Sequence, residues 1–226
     1  MPSYQPGSDT RNRLLEAAAE VFSEQGFRHA RVSDICRRAQ ANIAAVNYHF
    51  GDKEQLYVAV VRRLNEESQA DAAFLRVDPN VQPEERLRVF VRELLYLLLK
   101  SGRASHLGKL MARETIEPTS ALDFMVDNAI RPINSALREI VGGVLGLTAG
   151  HETVGLCVAS ILSQCITYHN SKEIVLRMDP HLMNSDCTFS AAAIDRLAEH
   201  VTRFSLQGMN GMAAAEIAVS GAPDGK

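Results

Sequence analysis

Residues 31–53 read RVSDICRRAQANIAAVNYHFGDK, and they contain two short helical patterns separated by a tight break. The first runs from about Ser33 to Ala39, with apolar residues three and four positions apart. The second runs from about Ile43 to His49, with Asn42 in the position of its N-cap. Two short helices that are joined by a turn and braced by a preceding helix are typical of the helix-turn-helix motif.

The second helix of this motif carries side chains suited to the major groove of DNA. Ile43, Val46 and Phe50 keep the spacing of a packed face, which leaves the other positions facing outward. Ala44 and Ala45 are small enough for close approach to base edges, and they can contact thymine methyl groups. These two positions are therefore predicted to lie against the bases.

Polar side chains around the same helix are predicted to hold the DNA. Asn47 can pair with N6 and N7 of adenine, a contact that reads sequence. Tyr48, His49 and Lys53 have donors suited to phosphates, and such contacts position a protein without specifying a sequence. Asn42 is expected to cap the helix, and a residue at that edge could also bond a phosphate. Four arginines are either backbone contacts or solvated charges: Arg11, Arg13, Arg37 and Arg38.

The rest of the chain is also predicted to be helical, because apolar spacings of three and four recur and strand-like alternation is absent. A first helix ends at Gly26, and the helix after the motif runs from Lys53 to about Phe74. Pro132 should kink a later helix, either beside a cavity or as a packing feature only. The later helices are expected at about Pro83–Lys100, His106–Thr115, Thr119–Leu147, His151–Met178 and Ser190–Gly208.

The composition is that of a globular protein, with 46% hydrophobic and 23% charged residues among 226. The net charge is −3, but residues 1–63 carry nine basic against seven acidic side chains, and the remainder carries fifteen against twenty. This asymmetry favours a protein that touches a polyanion at one end. Because no segment approaches the ~20 apolar residues of a membrane span and no signal-peptide pattern is present, a cytoplasmic protein is expected.

The four cysteines show no metal-ligand spacing and no disulfide framework; they are Cys36, Cys157, Cys165 and Cys187. They are interpreted as reduced, largely buried thiols. The alternative is a redox or metal sensor, in which Cys165 and His169, four residues apart, would supply half a metal site. No cofactor and no complete metal site are predicted.

Three segments resemble the TetR/AcrR family of bacterial regulators over about residues 10–60: LLEAAAEVFSEQGF, VSDICRRA and NYHFGDKEQLY. The form NIAAVNYHFGDKE is similar to the branch that has AAxNYHF where many members have GTxYxYF. Four downstream segments resemble the CecR-type C-terminal domain of that branch: RETIEP, IRPINSAL, SILSQCITYH and HVTRFSLQGM.

The resemblance implies an all-α protein with an N-terminal three-helix DNA-binding domain and a C-terminal bundle that dimerises. It implies a homodimer on a palindromic operator, most simply a repressor, released when a small lipophilic effector binds the bundle. The implied division is a flexible N-terminus at 1–9, a helix-turn-helix domain at 10–52, an effector-binding and dimerisation domain at 53–211, and a frayed tail at 212–226. The apolar helix from His151 would need such a partner subunit as cover.

Residue roles carried over from the family fall on the same motif. Base contacts fall on Ala44, Ala45 and Asn47, and phosphate contacts fall on four residues: Ser33, Tyr48, His49 and Lys53. The family often has Gly in the turn before the recognition helix, where this chain has Gln40. A non-glycine residue with positive φ costs roughly 1 kcal/mol, so the tilt of the recognition helix is in question.

Candidate effector contacts are side chains of the C-terminal region, although apolar side chains at helical spacing are more often plain core: Tyr96, His106, Met111, Phe124, Met125, Cys165 and His169. A DNA-binding protein without an effector is one alternative to this interpretation. An enzyme is another, with Glu114 and Glu117 near His106 as an acid/base group. However, no GxSxG, HExxH, P-loop or dinucleotide motif is present, so binding is favoured over catalysis.

Overall fold

A computed structural model describes residues 6–71, 78, 80–99, 103–182, 184 and 188–220, and within these ranges every extended regular element is helical. The prediction of an all-α protein is therefore confirmed. The α-helices are α1 (Pro6–His29), α2 (Val32–Ala39), α3 (Ile43–Phe50), α4 (Lys53–Asp71), α5 (Pro83–Leu99), α6 (Arg103–Glu114), α7 (Leu122–Met125), α8 (Arg131–Leu145), α9 (Glu152–Asn170), α10 (Lys172–Met178) and α11 (Ala191–Ser220).

The chain divides into two compact units, which differ from the domains expected from sequence. The first unit is Met1–Asp71 with Gly102–Ile130, and the second is Ala72–Ser101 with Arg131–Lys226. Helices α4, α6 and α7 thus share a core with the helix-turn-helix, whereas the sequence placed a boundary at residue 52. The reason is that the apolar face of α4 is buried beside α1: Leu56, Tyr57, Val60, Val61 and Leu64.

Gly26 interrupts α1, at the position where the sequence predicted the first helix to end. Its φ is 77° and its ψ is 167°, and one further helical turn continues to His29. A Cβ atom at Gly26 would stand 2.8 Å from Nη1 of Arg113, which is closer than carbon contacts allow. Glycine is therefore favoured there by the backbone conformation, and a Cβ would in addition require the end of the flexible Arg113 side chain to move.

The predicted helix from Thr119 to Leu147 is broken in the structure. It consists of α7, a π-helical turn at Val126–Ile130, and α8. Pro132 follows this turn as the second residue of α8, and it has no N–H to donate to the turn before it. The side-chain amide of Asn128 donates to the carbonyl oxygen of Phe124 at 2.9 Å, so the irregular segment keeps part of its hydrogen bonding.

Packing in the second unit brings α5, α8, α9 and α11 around one apolar core. Ion pairs between Arg88 and Glu199 and between Arg92 and Asp195 show that α5 and α11 run antiparallel. The predicted helix from His151 to Met178 is divided at Ser171 into α9 and α10. Helix α11 extends to Ser220, well beyond the expected end near Gly208, because residues 212–220 are rich in alanine and other helix formers.

The two predicted terminal segments are only partly described. The N-terminus was expected to be flexible over residues 1–9, but α1 begins at Pro6, a residue favoured in the first helical turn. The tail expected to fray from residue 212 is helical to Ser220. Residues 1–5 and 221–226 lie outside the described residues.

Candidate nucleic-acid interface

The turn between α2 and α3 contains a residue in the left-handed conformation that glycine usually adopts, although this residue is Gln40. Gln40 has φ 51° and ψ 47°, the left-handed conformation. The N–H of Ala41 donates to the carbonyl oxygen of Cys36 at 2.9 Å, and the N–H of Gln40 donates to that of Arg37 at 3.3 Å. This pair of bonds is the Schellman helix end. Gln40 therefore carries a conformational cost of roughly 1 kcal/mol while the turn geometry is retained.

Asn42 begins α3 as its N-cap, as predicted. Its Oδ1 accepts a hydrogen bond from the N–H of Ala45 at 2.9 Å, and its backbone is extended. This bond satisfies one of the N–H groups that a helix start leaves without a partner. The amide nitrogen of the exposed Asn42 side chain keeps its two donors for another acceptor, such as a phosphate.

The outward face of α3 is formed by Ala44, Asn47 and Tyr48, all of which are exposed. Val46 is the anchor of the opposite face, since it is only 1% exposed, and Ala45 is half-buried against the core. The prediction that Ile43 is packed was wrong: its side chain is 54% exposed. Ile43 is the first residue of the eight-residue helix α3, and the side chain that anchors this helix to the core is that of Val46.

The proposed phosphate donors lie on three different elements. Ser33 is exposed in the first turn of α2. Tyr48 is 84% exposed, and its ring packs edge-to-face against the half-buried His49 at 4.9 Å between centroids. Lys53 begins α4, and its Nζ donates to the carbonyl oxygen of Arg28 at 3.3 Å.

Lys53 is held in place by the end of α1. Its Nζ lies 4.8 Å from the centroid of the Phe27 ring, a cation–π contact. Burial lowers the pKa of the Lys53 ammonium group from its ordinary value. The ammonium has three donors and only one is used by Arg28, so the geometry leaves donors for a phosphate.

Three of the four arginines that the sequence left open are occupied by acidic partners. Arg37 pairs with Asp34 at 2.8 Å, and Arg13 lies 3.6 Å from Asp9. Arg38 donates to both Glu20 and Glu24, at 3.1 Å and 3.0 Å, and this bond to Glu24 lowers the pKa of the Glu24 carboxyl. These three side chains form intramolecular ion pairs on the surface of the first unit.

The proposed effector contacts are divided between the two units. In the first unit, Nδ1 of His106 is 2.7 Å from Oγ of Ser23, Met125 is 1% exposed, and Arg62 lies over the Phe124 ring at 4.8 Å. Met111 packs against the same core. These four side chains therefore take part in the packing of the first unit.

The other three contacts belong to the second unit. The Tyr96 hydroxyl donates to Asp195 at 3.2 Å, and burial together with this carboxylate raises the pKa of Tyr96. Nδ1 of His169 is 2.8 Å from the carbonyl oxygen of Leu98. Cys165 is fully buried, and this burial raises the pKa of its thiol to about 12. Cys165 is therefore part of the core, and the half-buried His169 contacts a backbone carbonyl oxygen.

The remaining cysteines give no support to a reactive thiol in the described residues. Cys36 is buried, and burial raises the pKa of its thiol. Cys157 is 5% exposed, and its Sγ lies 3.7 Å from Sδ of Met212. Cys187 lies outside the described residues. Among the residues that are described, no cluster of three or more His, Cys, Asp or Glu side chains could hold a metal ion.

Glu114, predicted only as part of an alternative acid/base group, is a buried carboxylate with several hydrogen bonds. Glu114 is 2% exposed and accepts hydrogen bonds from the Tyr57 hydroxyl at 2.8 Å and from the Thr119 N–H at 2.8 Å. The Thr119 hydroxyl adds a third, at 2.9 Å. The neighbouring Arg113 donates to the carbonyl oxygen of Glu24 at 2.8 Å. The RETIEP segment thus fastens α6 to α1 and α4.

In the second unit, α9 and α11 expose large apolar side chains on the faces turned away from the core. On α9 these are Leu156, 63% exposed, and Ile166, 43% exposed. On α11 they are Phe204 and Met212, with 65% and 47% exposed. Exposed apolar residues on two neighbouring helices favour an interaction surface. No helix in the described ranges has the length and apolar character needed to cross a bilayer.

Comparison with known proteins gives matches along most of the chain. Residues 14–60 match the family described as bacterial regulatory proteins, tetR family. Residues 83–209 match the family described as the C-terminal domain of the HTH-type transcriptional dual regulator CecR.

Individual relatives agree with these matches. CecR from Shigella flexneri is 28% identical over 184 residues, which cover 75% of this chain and 80% of CecR. The repressor NicS from Pseudomonas putida is 28% identical over 176 residues, covering 74% of this chain and 79% of NicS. The crystal structure of AibR with isovaleryl coenzyme A and operator DNA has the same fold, with a TM-score of 0.64, 15% identity, and coverage of 85% and 96%.

Proposed function

Because the chain belongs to the TetR family of DNA-binding transcriptional regulators, with a CecR-type C-terminal domain, we propose that it is a homodimeric, effector-released repressor. In this proposal the protein acts in the cytoplasm and binds a palindromic operator, which two copies of α3 read in successive major grooves. The family consists of transcriptional regulators and not of enzymes, so the chain has a binding function.

The outward face of α3 carries this proposal. A recognition helix must offer small or hydrogen-bonding side chains away from its core, and the exposed residues here are Ala44, Asn47 and Tyr48. Asn47 is the proposed base reader, with Ala44 and the half-buried Ala45 close to the groove floor. Phosphate contacts are proposed for Ser33, Asn42, Tyr48, His49 and Lys53.

The homodimer is supported by the exposed apolar residues of α9 and α11, which a second copy would cover. A charge in that surface should prevent association, so Phe204→Glu should sediment as a monomer and bind operator DNA at least tenfold more weakly. Ile116→Glu is the matched control, since Ile116 is 81% exposed but lies in the first unit. If Phe204→Glu remains dimeric, the surface of α11 around Phe204 is not part of the dimer interface.

The effector is proposed to be a small lipophilic compound that contacts predicted side chains of one unit, either the four in the first unit or the three in the second. A pocket ligand raises the melting temperature by mass action. A thermal-shift screen of lipophilic compounds should therefore include acyl-coenzyme A thioesters, because AibR, a regulator of the same fold, was crystallised with one. Repeating the screen with Phe124→Ala and His169→Ala would show which unit contacts a hit. If a ligand stabilises the protein but does not release it from DNA, the proposal that an effector releases the repressor is contradicted.

Selection of bound fragments from genomic DNA tests the DNA-binding proposal, followed by titrations with cognate and random duplexes. Asn47→Ala should lose ~1–3 kcal/mol on the cognate site and little on random DNA. Lys53→Ala should weaken binding to both and reduce the slope of log K against log salt by about one phosphate contact. Equal losses for Asn47→Ala on both duplexes would show that Asn47 does not read a base.

A further inference from the structure

Arg11 lies beside the recognition helix although it belongs to α1. The Cζ atom of the Arg11 guanidinium is 5.3 Å from the centroid of the Phe50 ring. Phe50 is the last residue of α3, and the proposed phosphate contacts Tyr48 and His49 precede it directly. The Arg11 side chain is exposed. A cation from outside the helix-turn-helix is therefore held at the C-terminal end of α3.

The charge of Arg11 is not neutralised in the described part of the chain. The arginines around it each have an acidic partner: Arg13 has Asp9, Arg37 has Asp34, and Arg38 has Glu20 and Glu24. Arg11 has no carboxylate partner among the described residues, and residues 1–8, MPSYQPGS, contain no Asp or Glu.

The stacking on Phe50 also suits Arg11 to phosphate recognition. An aromatic ring that lies under a guanidinium covers one flat face and leaves the N–H groups at the edge pointing outward. Those edge donors match the spacing of phosphate oxygens, and two parallel bonds can form. Restricting the side chain beforehand reduces the entropy lost when DNA binds.

We propose that Arg11 contacts a backbone phosphate of the operator, next to the phosphates reached from the end of α3. This inference rests on the proposed DNA-binding function and adds a contact from α1 to the contacts that the family pattern places on α2, α3 and the start of α4. Because phosphates carry no sequence information, Arg11 contributes to affinity and register but not to base choice.

The experiment compares Arg11→Ala, Arg11→Lys and Arg13→Ala by fluorescence anisotropy, using a fragment selected by the wild-type protein and a random duplex over a range of salt concentrations. For Arg11→Ala we expect about tenfold weaker binding to both duplexes and a salt slope smaller by about one. Arg11→Lys should retain the salt slope and lose about threefold in affinity, because lysine replaces the charge without the paired geometry. Arg13→Ala, two residues along the same helix, should stay within twofold of wild type.

The melting temperature of each variant shows whether the first unit is still folded. An Arg11→Ala protein that binds with unchanged salt slope overturns the inference, whether its affinity falls or not, because a lost phosphate contact must release fewer counterions. Equal losses for Arg11→Ala and Arg13→Ala also overturn it, since Arg13 is already paired. A wild-type protein that binds no DNA fragment would instead contradict the proposed function itself.

Discussion

The buried carboxylate of Glu114 in the first unit and the buried hydroxyls of α11 in the second unit differ in their hydrogen bonding. In the first unit, Glu114 is almost completely buried and each of its oxygens accepts hydrogen bonds from Tyr57 or Thr119. In the second unit, Thr202 is fully buried and Ser205 is 8% exposed, and neither hydroxyl has a hydrogen-bond partner among the described residues. The buried carboxylate of the first unit is therefore satisfied, whereas α11 carries two buried hydroxyls without a partner; elsewhere, Nε of Arg13 in the first unit and Nε of Arg86 in the second also lack a hydrogen-bond partner among the described residues.

We relate this difference to the first unit's role of keeping the recognition helix α3 in a fixed orientation. A satisfied polar network in low dielectric rigidifies its surroundings, and here it fastens α6 to the helices that brace α3. An unsatisfied hydroxyl costs free energy without fixing any geometry. In the first unit, buried hydrogen bonds thus help to orient the recognition helix, whereas the polar contacts of α11 with α5 lie at the surface and its buried face packs through apolar side chains. Substitutions of Glu114 and Thr202 test this contrast, and a third, at Gln40, tests the turn of the motif.

The largest effect is expected for Glu114→Ala. The Tyr57 hydroxyl and the Thr119 N–H would lose their acceptor inside the protein, which should reduce the free energy of unfolding by ~3–5 kcal/mol. Chemical denaturation followed by circular dichroism measures this loss. Glu117→Ala is the control, because the exposed Glu117 only approaches Arg28 at 3.5 Å and should change stability by less than ~0.5 kcal/mol. Equal effects for the two variants would mean that Glu114 is not a structural anchor.

A smaller effect of opposite sign is expected for Thr202→Val. The replacement removes a hydroxyl that has no partner and retains the branched shape, so stability should rise by ~1 kcal/mol. The same denaturation experiment on Thr167→Val provides the comparison, since the Thr167 hydroxyl donates to the carbonyl oxygen of Ser163 at 2.7 Å and its removal should give no gain. A loss of stability for Thr202→Val would show that its hydroxyl is hydrogen-bonded in solution.

The smallest effect is expected at the turn of the motif. Gln40→Gly should increase stability by up to ~1 kcal/mol, because glycine adopts positive φ without strain from Cβ, although its greater freedom in the unfolded chain offsets part of the gain. Gln40→Ala keeps Cβ and should give no increase. If both variants are equally stable, the left-handed conformation of Gln40 carries no measurable strain.

Much of the first unit could be predicted because its signals are local. The spacing around Val46, the Asn42 cap and the Gly26 break depend on neighbours within a few residues, and the structure has them as expected. Ile43 was misplaced because periodicity cannot tell whether the first turn of a short helix reaches the core. The structural role of Glu114 was not predicted, because one of its partners, Tyr57, is far away in the sequence.

The amino-acid sequence by itself determined the helical class, the recognition segment and the family, because short-range spacing and capping chemistry specify helices and their ends. Tertiary structure alone decided which helices share a core, so that α4, α6 and α7 join the DNA-binding helices. It also decided which arginines keep a free charge, since Arg13, Arg37 and Arg38 have acidic partners and Arg11 stacks on Phe50. Charge pairing depends on distances in space: Arg13 and Arg37 find their partners within one helical turn, whereas Arg38 and Arg11 contact residues that are far away along the chain.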